Sequence, residues 1–355
     1  MESISQSTFA YFFLSLLIEG APFILLGTMV SGFIDIYMPS GVLERFLPKR
    51  KVPAIMLCGL LGIVLPVCEC AVVPVIRRLV AKGLPVSCAF TYMLAAPIVN
   101  PITILSTWSA FSEQQSLYIT LSRIGIGYLI AVVVGLILMA VPIEKVIRKS
   151  LLAQIKNLKP ARQSVSHEGH KPGSECCSDH HGDDHSHEHT HDHSHAESSP
   201  HRLVAAMRSG MKDFVDVAVY FTIGVCLTAM FNILQVDYHE SISAYASDPF
   251  KGTALLMALA FVLSVCSTSD AFLAASLGSF SYASKMAFMV LGPMLDVKLL
   301  FLYQTVMRGK FLFIFCIFLF VAVGSTCIAW SEWDWLFEMC QSLSNQFSSP
   351  EKGGL

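Results

Sequence analysis

The chain has 355 residues, 54% of them hydrophobic and only 14% charged, with a mean hydropathy of +0.59. That composition is too apolar for a soluble globule and defines an integral membrane protein. A formal net charge of -2 gives no basis for nucleic-acid binding.

In chain order, the apolar runs cover Phe9 to Ile36, Ala54 to Ile76, Leu84 to Phe111, Leu117 to Val141, Phe214 to Val236, Thr253 to Leu277, Met286 to Met307 and Phe311 to Trp330. Each is long enough to cross a bilayer as a helix, which takes about 20 residues. The expected fold class is an all-α polytopic membrane protein. The first run reads as retained rather than as a cleaved signal, because no basic residue precedes it and Glu19 and Pro22 interrupt it. The 11 cysteines lie mostly in these segments at mixed spacings, so they read as free thiols and not as a secreted disulfide framework.

Residues 144 to 205 break the pattern, and the flanking halves resemble each other. LLIEGAPFILLGTMVSGF aligns without gaps on DFVDVAVYFTIGVCLTAM, pairing Glu19 with Asp216 and Gly27 with Gly224. LPVCECAVV meets LSVCSTSDAF, which sets Cys68 on Cys266, and APIVNPI meets GPMLDVK, which sets Pro97 on Pro293 and Asn100 on Asp296. Chance likeness of apolar helices is the plainer alternative. The domains expected are a first repeat over 1–143, a linker over 144–205, a second repeat over 206–331 and a polar tail over 332–355.

Lysine and arginine flanks set the orientation. The loops with Arg45, Lys49, Arg50 and Lys51, then Arg77, Arg78 and Lys82, then Lys145, Arg148 and Lys149 all read as cytoplasmic. Eight simple crossings cannot satisfy this. A re-entrant hairpin over 54–76, turning near Pro66 to Cys70, removes the conflict and places both Ser112 and the amino terminus outside. The segment over 253–277 then becomes an outward-facing hairpin, so the halves are inverted repeats with broken helices, a common transporter plan. Eight full crossings remain the alternative.

Thiolates suit Cu(I), Zn(II) and, by the same softness, trivalent arsenic. On a regular helix Cys68 and Cys70 point to different faces. In an unwound turn between Pro66 and Pro74 they chelate together, and two packing cysteines are the bland reading. Glu69 between them is hard to bury for packing alone, since a charge at the bilayer centre costs about 2.5–3.5 kcal/mol. Glu19, Asp216, Asp270 and Asp296 raise the same question, answered by a role in the site, by a place near the interface, or by a partner such as Arg123 or Lys298. CSTSD supplies Cys266, Ser267, Thr268, Ser269 and Asp270 as the counterpart of CEC. PIVNP and GPMLD read as helix breaks at Pro97, Pro101 and Pro293, with Asn100 or Asp296 satisfying freed carbonyls or facing the substrate.

The linker is plainer. Between His167 and His201 lie all but one of the 12 histidines, eight of them in the run ECCSDHHGDDHSHEHTHDHSH. Cys176, Cys177, His180, His181, His185, His187, His189, His191, His193 and His195 there read as a disordered metal-binding segment over 164–201.

At CECAVVPVIRRLVAKGLPVSCAFTYMLAAPIVNPIT, and again at CSTSDAFLAASL and GPMLDVK, the chain resembles the predicted permease family that includes trivalent organoarsenical efflux permeases. The resemblance implies a multi-pass exporter of the bacterial inner membrane with two related halves and no enzyme activity. The histidine loop and the CEC turn look closer to members described as copper or zinc efflux transporters. Carried over, the motifs mark Cys68, Cys70, Pro97, Asn100, Pro101, Cys266, Asp270, Pro293 and Asp296.

The expected function is secondary-type export of a soft cation, Cu(I) or Zn(II), or of a trivalent arsenical. The cytoplasmic loop, or a cytoplasmic metal donor, gathers the ion, and a thiol and carboxylate site between the repeats passes it on. The lipid bilayer is the other partner, and no cofactor is held permanently. The rival is a transmembrane thiol oxidoreductase, which needs a dithiol that opens and closes.

Overall fold

The computed structural model describes residues 2–39, 47–65, 67–111, 116–149, 151–153, 199–235 and 248–348. Pro66 and nearly all of the histidine and cysteine loop lie outside them. Among the described residues the protein is helical, with one isolated antiparallel bridge between Ile147 and Met307. Five helices are long and apolar enough to cross a membrane, so the all-α polytopic fold is as expected.

The first half contains α1 (Glu2–Tyr37), α2 (Lys51–Val64), α3 (Glu69–Ala81), α4 (Val86–Ala95), α5 (Pro101–Ala110), α6 (Ser116–Ala140) and the short α7 (Ile143–Val146). The second contains α8 (Ser199–Gln235), α9 (Pro249–Leu263), α10 (Asp270–Ser276), α11 (Tyr282–Met294), α12 (Val297–Tyr303) and α13 (Gly309–Ser348). Hydropathy marked the lipid-embedded stretches and not the helix ends. Thus α8 starts inside the expected linker, and α13 continues through much of the segment read as a tail.

Close approaches at glycines fix the directions of these helices. Gly59 of α2 faces Thr91 of α4, and Gly62 faces Ala96, so α2 and α4 run parallel. Two parallel neighbours joined by a single intervening helix require that helix to return, so α2 and α3 enter and leave on one face. Gly83, at φ 107°, makes the tight turn from α3 into α4. α6 runs back along α4 and α5, with Gly135 against Ser87, Gly127 against Ile98 and Arg123 against Thr107. The run over 84–111 is therefore one crossing, broken at 96–100.

The second half repeats this plan upside down. Thr253 hydrogen-bonds Ser284 and Ala260 lies beside Gly292, so α9 and α11 run parallel, with α10 returning between them. Arg308 N–H donates to Val146 O and Arg148 N–H to Val306 O, which brings the α12–α13 loop to the face carrying the end of the first half. α11 and α12 run toward that face, so the second hairpin enters from the other one. The shared face carries Lys51, Arg78, Lys82, Arg148 and Arg308 and is called the basic face below.

α1 and α8 form an antiparallel pair whose backbones nearly touch. An added Cβ on Gly32 would collide with Ala206 O, and one on Gly27 would collide with Ala71 of α3. This pair packs along α3 and α12, the half-helices on the basic side, and gives α5 and α10 no comparable cover. Leu105 of α5 is 67% exposed and Phe272 of α10 is 53% exposed.

Candidate functional site

Four half-helices begin in the middle of the fold: α3 at Glu69, α5 at Pro101, α10 at Asp270 and α12 at Val297. Their N-terminal ends carry unpaired N–H groups and positive partial charge. That favours acidic side chains at a depth where water cannot help them. Glu69 and Asp270 occupy first turns, and Asp296 and Asn100 are N-caps. Asp296 Oδ1 accepts from Leu299 N–H at 2.6 Å and Asn100 Oδ1 from Ile102 N–H at 3.0 Å. The matched pair from the repeat alignment therefore plays one role twice. It satisfies amide donors, not the freed carbonyls expected of it.

The two hairpin turns meet. Ser267 Oγ donates to Glu69 Oε2 at 3.0 Å, and both residues are buried. Thr103 of α5 adds a long contact of 3.5 Å to Ser267 Oγ. Beside them Arg123 of α6 reaches Asp270 Oδ2 at 2.6 Å, Thr107 Oγ1 at 2.7 Å and Ser267 O at 3.3 Å. Arg123 and Asp270 are each 1% exposed, so this is a fully desolvated ion pair tying α6 and α5 to the second turn. Lys298 lies 3.7 Å from Asp296 Oδ2. Pairing with Arg123 or Lys298 is thus what keeps Asp270 and Asp296 buried. Among the described residues Glu69 forms no ion pair.

Cys70 is buried and Cys68, the N-cap of α3, is partly exposed. Lys298, Glu69, Cys68 and Asp296 are within electrostatic reach of Cys70, and Glu69 and Lys298 are within reach of Cys266. The three thiols therefore border one polar layer. No group of three or more His, Cys, Asp or Glu side chains converges to hold a metal among the described residues. Thr268 Oγ1 lies 3.7 Å from Cys266 Sγ, while Ser269 is exposed and only 3.4 Å from Glu19. Glu19 thus reaches the edge of the second turn, whereas its repeat mate Asp216 shares a cavity with Pro74, Arg78 and Asp213 on the basic side.

Two expectations need correction. Pro74 does not end an unwound turn: α3 starts at Glu69 and continues through it. Proline removes the N–H that would have paired with Cys70 O four residues back, and α3 continues without that bond. Pro97 and Pro101 do flank a break, whereas Pro293 is inside α11 just before the break at Leu295 and Asp296. The break there is stabilised by Tyr303, whose hydroxyl donates to Met294 O at 2.8 Å. Ser264, at φ 50°, ends α9 in a left-handed conformation, and its hydroxyl accepts Val297 N–H at 3.2 Å. Holding a serine there costs about 1–3 kcal/mol.

On the basic side, Arg78 of α3 bonds Asp35 of α1 at 3.0 Å and Asp213 of α8 at 2.9 Å through both Nε and Nη2. Lys82 Nζ donates to Asp35 O, and Ser31 Oγ to Asp213 Oδ2. This latch holds the α1–α8 pair over α3.

Inverted hairpins, broken helices that start at mid-depth and a buried charged layer between them define a multi-pass membrane protein of the transporter class. The family model for predicted permeases, ArsP_1, matches residues 6–329, and the chain belongs to that family. It is 31% identical to the UPF0718 protein YcgR of Bacillus subtilis (strain 168), over 88% of this chain and 92% of that protein. It is 30% identical to a Streptococcus mutans protein named as a subunit of a two-component membrane permease complex, over 84% of this chain and 87% of the relative. No solved structure matches the chain significantly. The family and the Streptococcus relative are named as permeases, and neither name is that of an enzyme.

Proposed function

We propose that this permease exports a soft cation, Cu(I) or Zn(II), or a trivalent arsenical, from the cytoplasm of a bacterium across its inner membrane. The observation that carries the reading is the Glu69–Ser267 contact, which joins the turns of the two hairpins beside Cys68, Cys70 and Cys266. A buried carboxylate that forms no ion pair among the described residues, next to soft donors, suits a positively charged passenger. Closure of the two turns on an arriving ion would draw the thiols into its ligand shell.

In this reading the basic face is cytoplasmic and the Arg78 latch is the inner gate. The α1–α8 pair covers the inner half-helices in one state and the outer ones, α5 and α10, in the other. The histidine loop and a cytoplasmic donor load the inner side. The name of the Streptococcus relative supports a second membrane component as partner.

The test is growth of metal-sensitive cells expressing the wild type or the Cys68→Ser, Cys70→Ser double variant at matched protein levels. The variant is expected to lose resistance. Full resistance in that variant would remove the thiols from the path.

A further inference from the structure

A second pair of thiols lies away from the central layer. Cys58 of α2 and Cys88 of α4 lie within side-chain reach of each other where Gly59 packs on Thr91, and both are free and 1% exposed. Cys88 lines a cavity of about 340 Å³ at the basic face, along with Lys49, Lys51, Ala54 and Leu138.

Packing alone does not call for sulfur at this position. The corresponding crossing of the second half, α9 against α11, is made with hydroxyls, Thr253 and Ser284 at 3.1 Å. Both crossings join parallel helices of the same inverted plan, yet only the first carries a dithiol. The neighbours Ile55, Ala54, Thr91 and Leu138 bring no imidazole or carboxylate.

We propose that Cys58 and Cys88 form a two-thiolate binding site for Cu(I) on the basic side of the first half. Zn(II) is almost always four-coordinate at protein sites and finds too few donors here, whereas a soft thiolate pair selects Cu(I). Two metal–thiolate bonds of about 2.3 Å each bridge thiols that already reach each other across the α2–α4 contact. Binding forms two Cu–S bonds, breaks two S–H bonds and releases two protons to the cavity. The product carries one negative charge, which Lys49 and Lys51 offset. The site deepens the export reading, since it puts a Cu(I)-selective station ahead of the central layer.

The test uses the reduced full chain in detergent, with Cu(I) supplied as its bicinchoninate complex, and reads both bound stoichiometry and melting temperature. Cys58→Thr with Cys88→Ser copies the hydroxyl pair of the second half and is expected to take up one equivalent less than the wild type. It should also lose the Cu(I)-induced rise in melting temperature. The Cys68→Ser, Cys70→Ser, Cys266→Ser variant should keep the rise. Should the double variant not fold, Cys88→Ser alone provides the same comparison. Equal stoichiometry and an undiminished rise in the hydroxyl variant would overturn the site. Transport is a separate readout: a wild type that binds Cu(I) at this pair but exports none of the tested ions counts against the permease reading alone, and a wild type that exports but binds no Cu(I) at this pair counts against the site alone.

Discussion

Glu69 and Ser267 are separated by 198 residues and joined by a hydrogen bond of 3.0 Å. The bond links the first turn of α3 to the loop ahead of α10, so a change at either residue is felt by both hairpins. Ser267→Ala leaves a buried carboxylate oxygen without its donor, a loss of about 1–3 kcal/mol. Glu69→Gln keeps an acceptor for Ser267 but removes the charge. The first variant is expected to melt earlier in detergent, and the second to melt near the wild type while losing transport. Normal export by Glu69→Gln would show that its charge plays no part.

Among the described residues Arg123 and Asp270 form the tightest buried ion pair, at 2.6 Å. Removing one partner strands the other, at a cost of about 3–5 kcal/mol. Arg123→Ala should therefore unfold or express poorly, and Asp270→Asn should be milder because an amide oxygen still accepts from the guanidinium. Replacing both by apolar residues of similar volume should recover much of the stability. A thermal double-mutant cycle measures this, and additive losses would mean that the pair does not act as a unit.

Much of this was legible in the sequence, through a few residues. The basic clusters at Lys51, Arg78 and Lys82 demanded a hairpin that returns to its own face, and the glycine contacts of α2 with α4 have that geometry. Matching Asn100 to Asp296 paired two positions that are equivalent N-caps, although the role expected there was to meet freed carbonyls or face the substrate. Pro74 misled because a proline early in a helix resembles a break, and only the actual start of α3 distinguishes them. Arg123 entered as a passive partner, since nothing local in ITLSRIGIG reveals that it faces Asp270 across the repeats. Cys58 and Cys88 lie 30 positions apart on separate helices, and their contact follows from the parallel packing alone. The roles of Cys176, Cys177 and the histidines from His180 to His195 fall outside the described residues.

Arg78 bridges Asp35 and Asp213, and its partial exposure makes the latch weak in stability but useful as a gate. Arg78→Ala should change the melting temperature little. It should raise several-fold the rate at which a charged thiol reagent added from the basic face labels Cys70. An unchanged labelling rate would mean that the latch does not hold that face closed.

Gly27 and Gly224, matched in the repeat alignment, both sit under close backbone. A Cβ on Gly27 meets Ala71, and one on Gly224 comes within 2.8 Å of Lys298 Cα. Gly27→Val or Gly224→Val overpacks these contacts at a cost of about 1–3 kcal/mol each. Both should push the α1–α8 pair off the inner half-helices, which lowered melting temperatures together with faster labelling of Cys70 would reveal. Wild-type behaviour of both would show that the pair is not held by these contacts.

The most direct test of a soft cation passing between the two turns is uptake by inside-out membrane vesicles. Cu(I), Zn(II) and a trivalent arsenical are offered in turn, with and without a proton gradient, to the wild type and to Glu69→Gln. The account predicts saturable uptake of at least one of the three by the wild type and its loss in Glu69→Gln, at equal protein levels. Uptake of none of them, or equal uptake by both proteins, would contradict it.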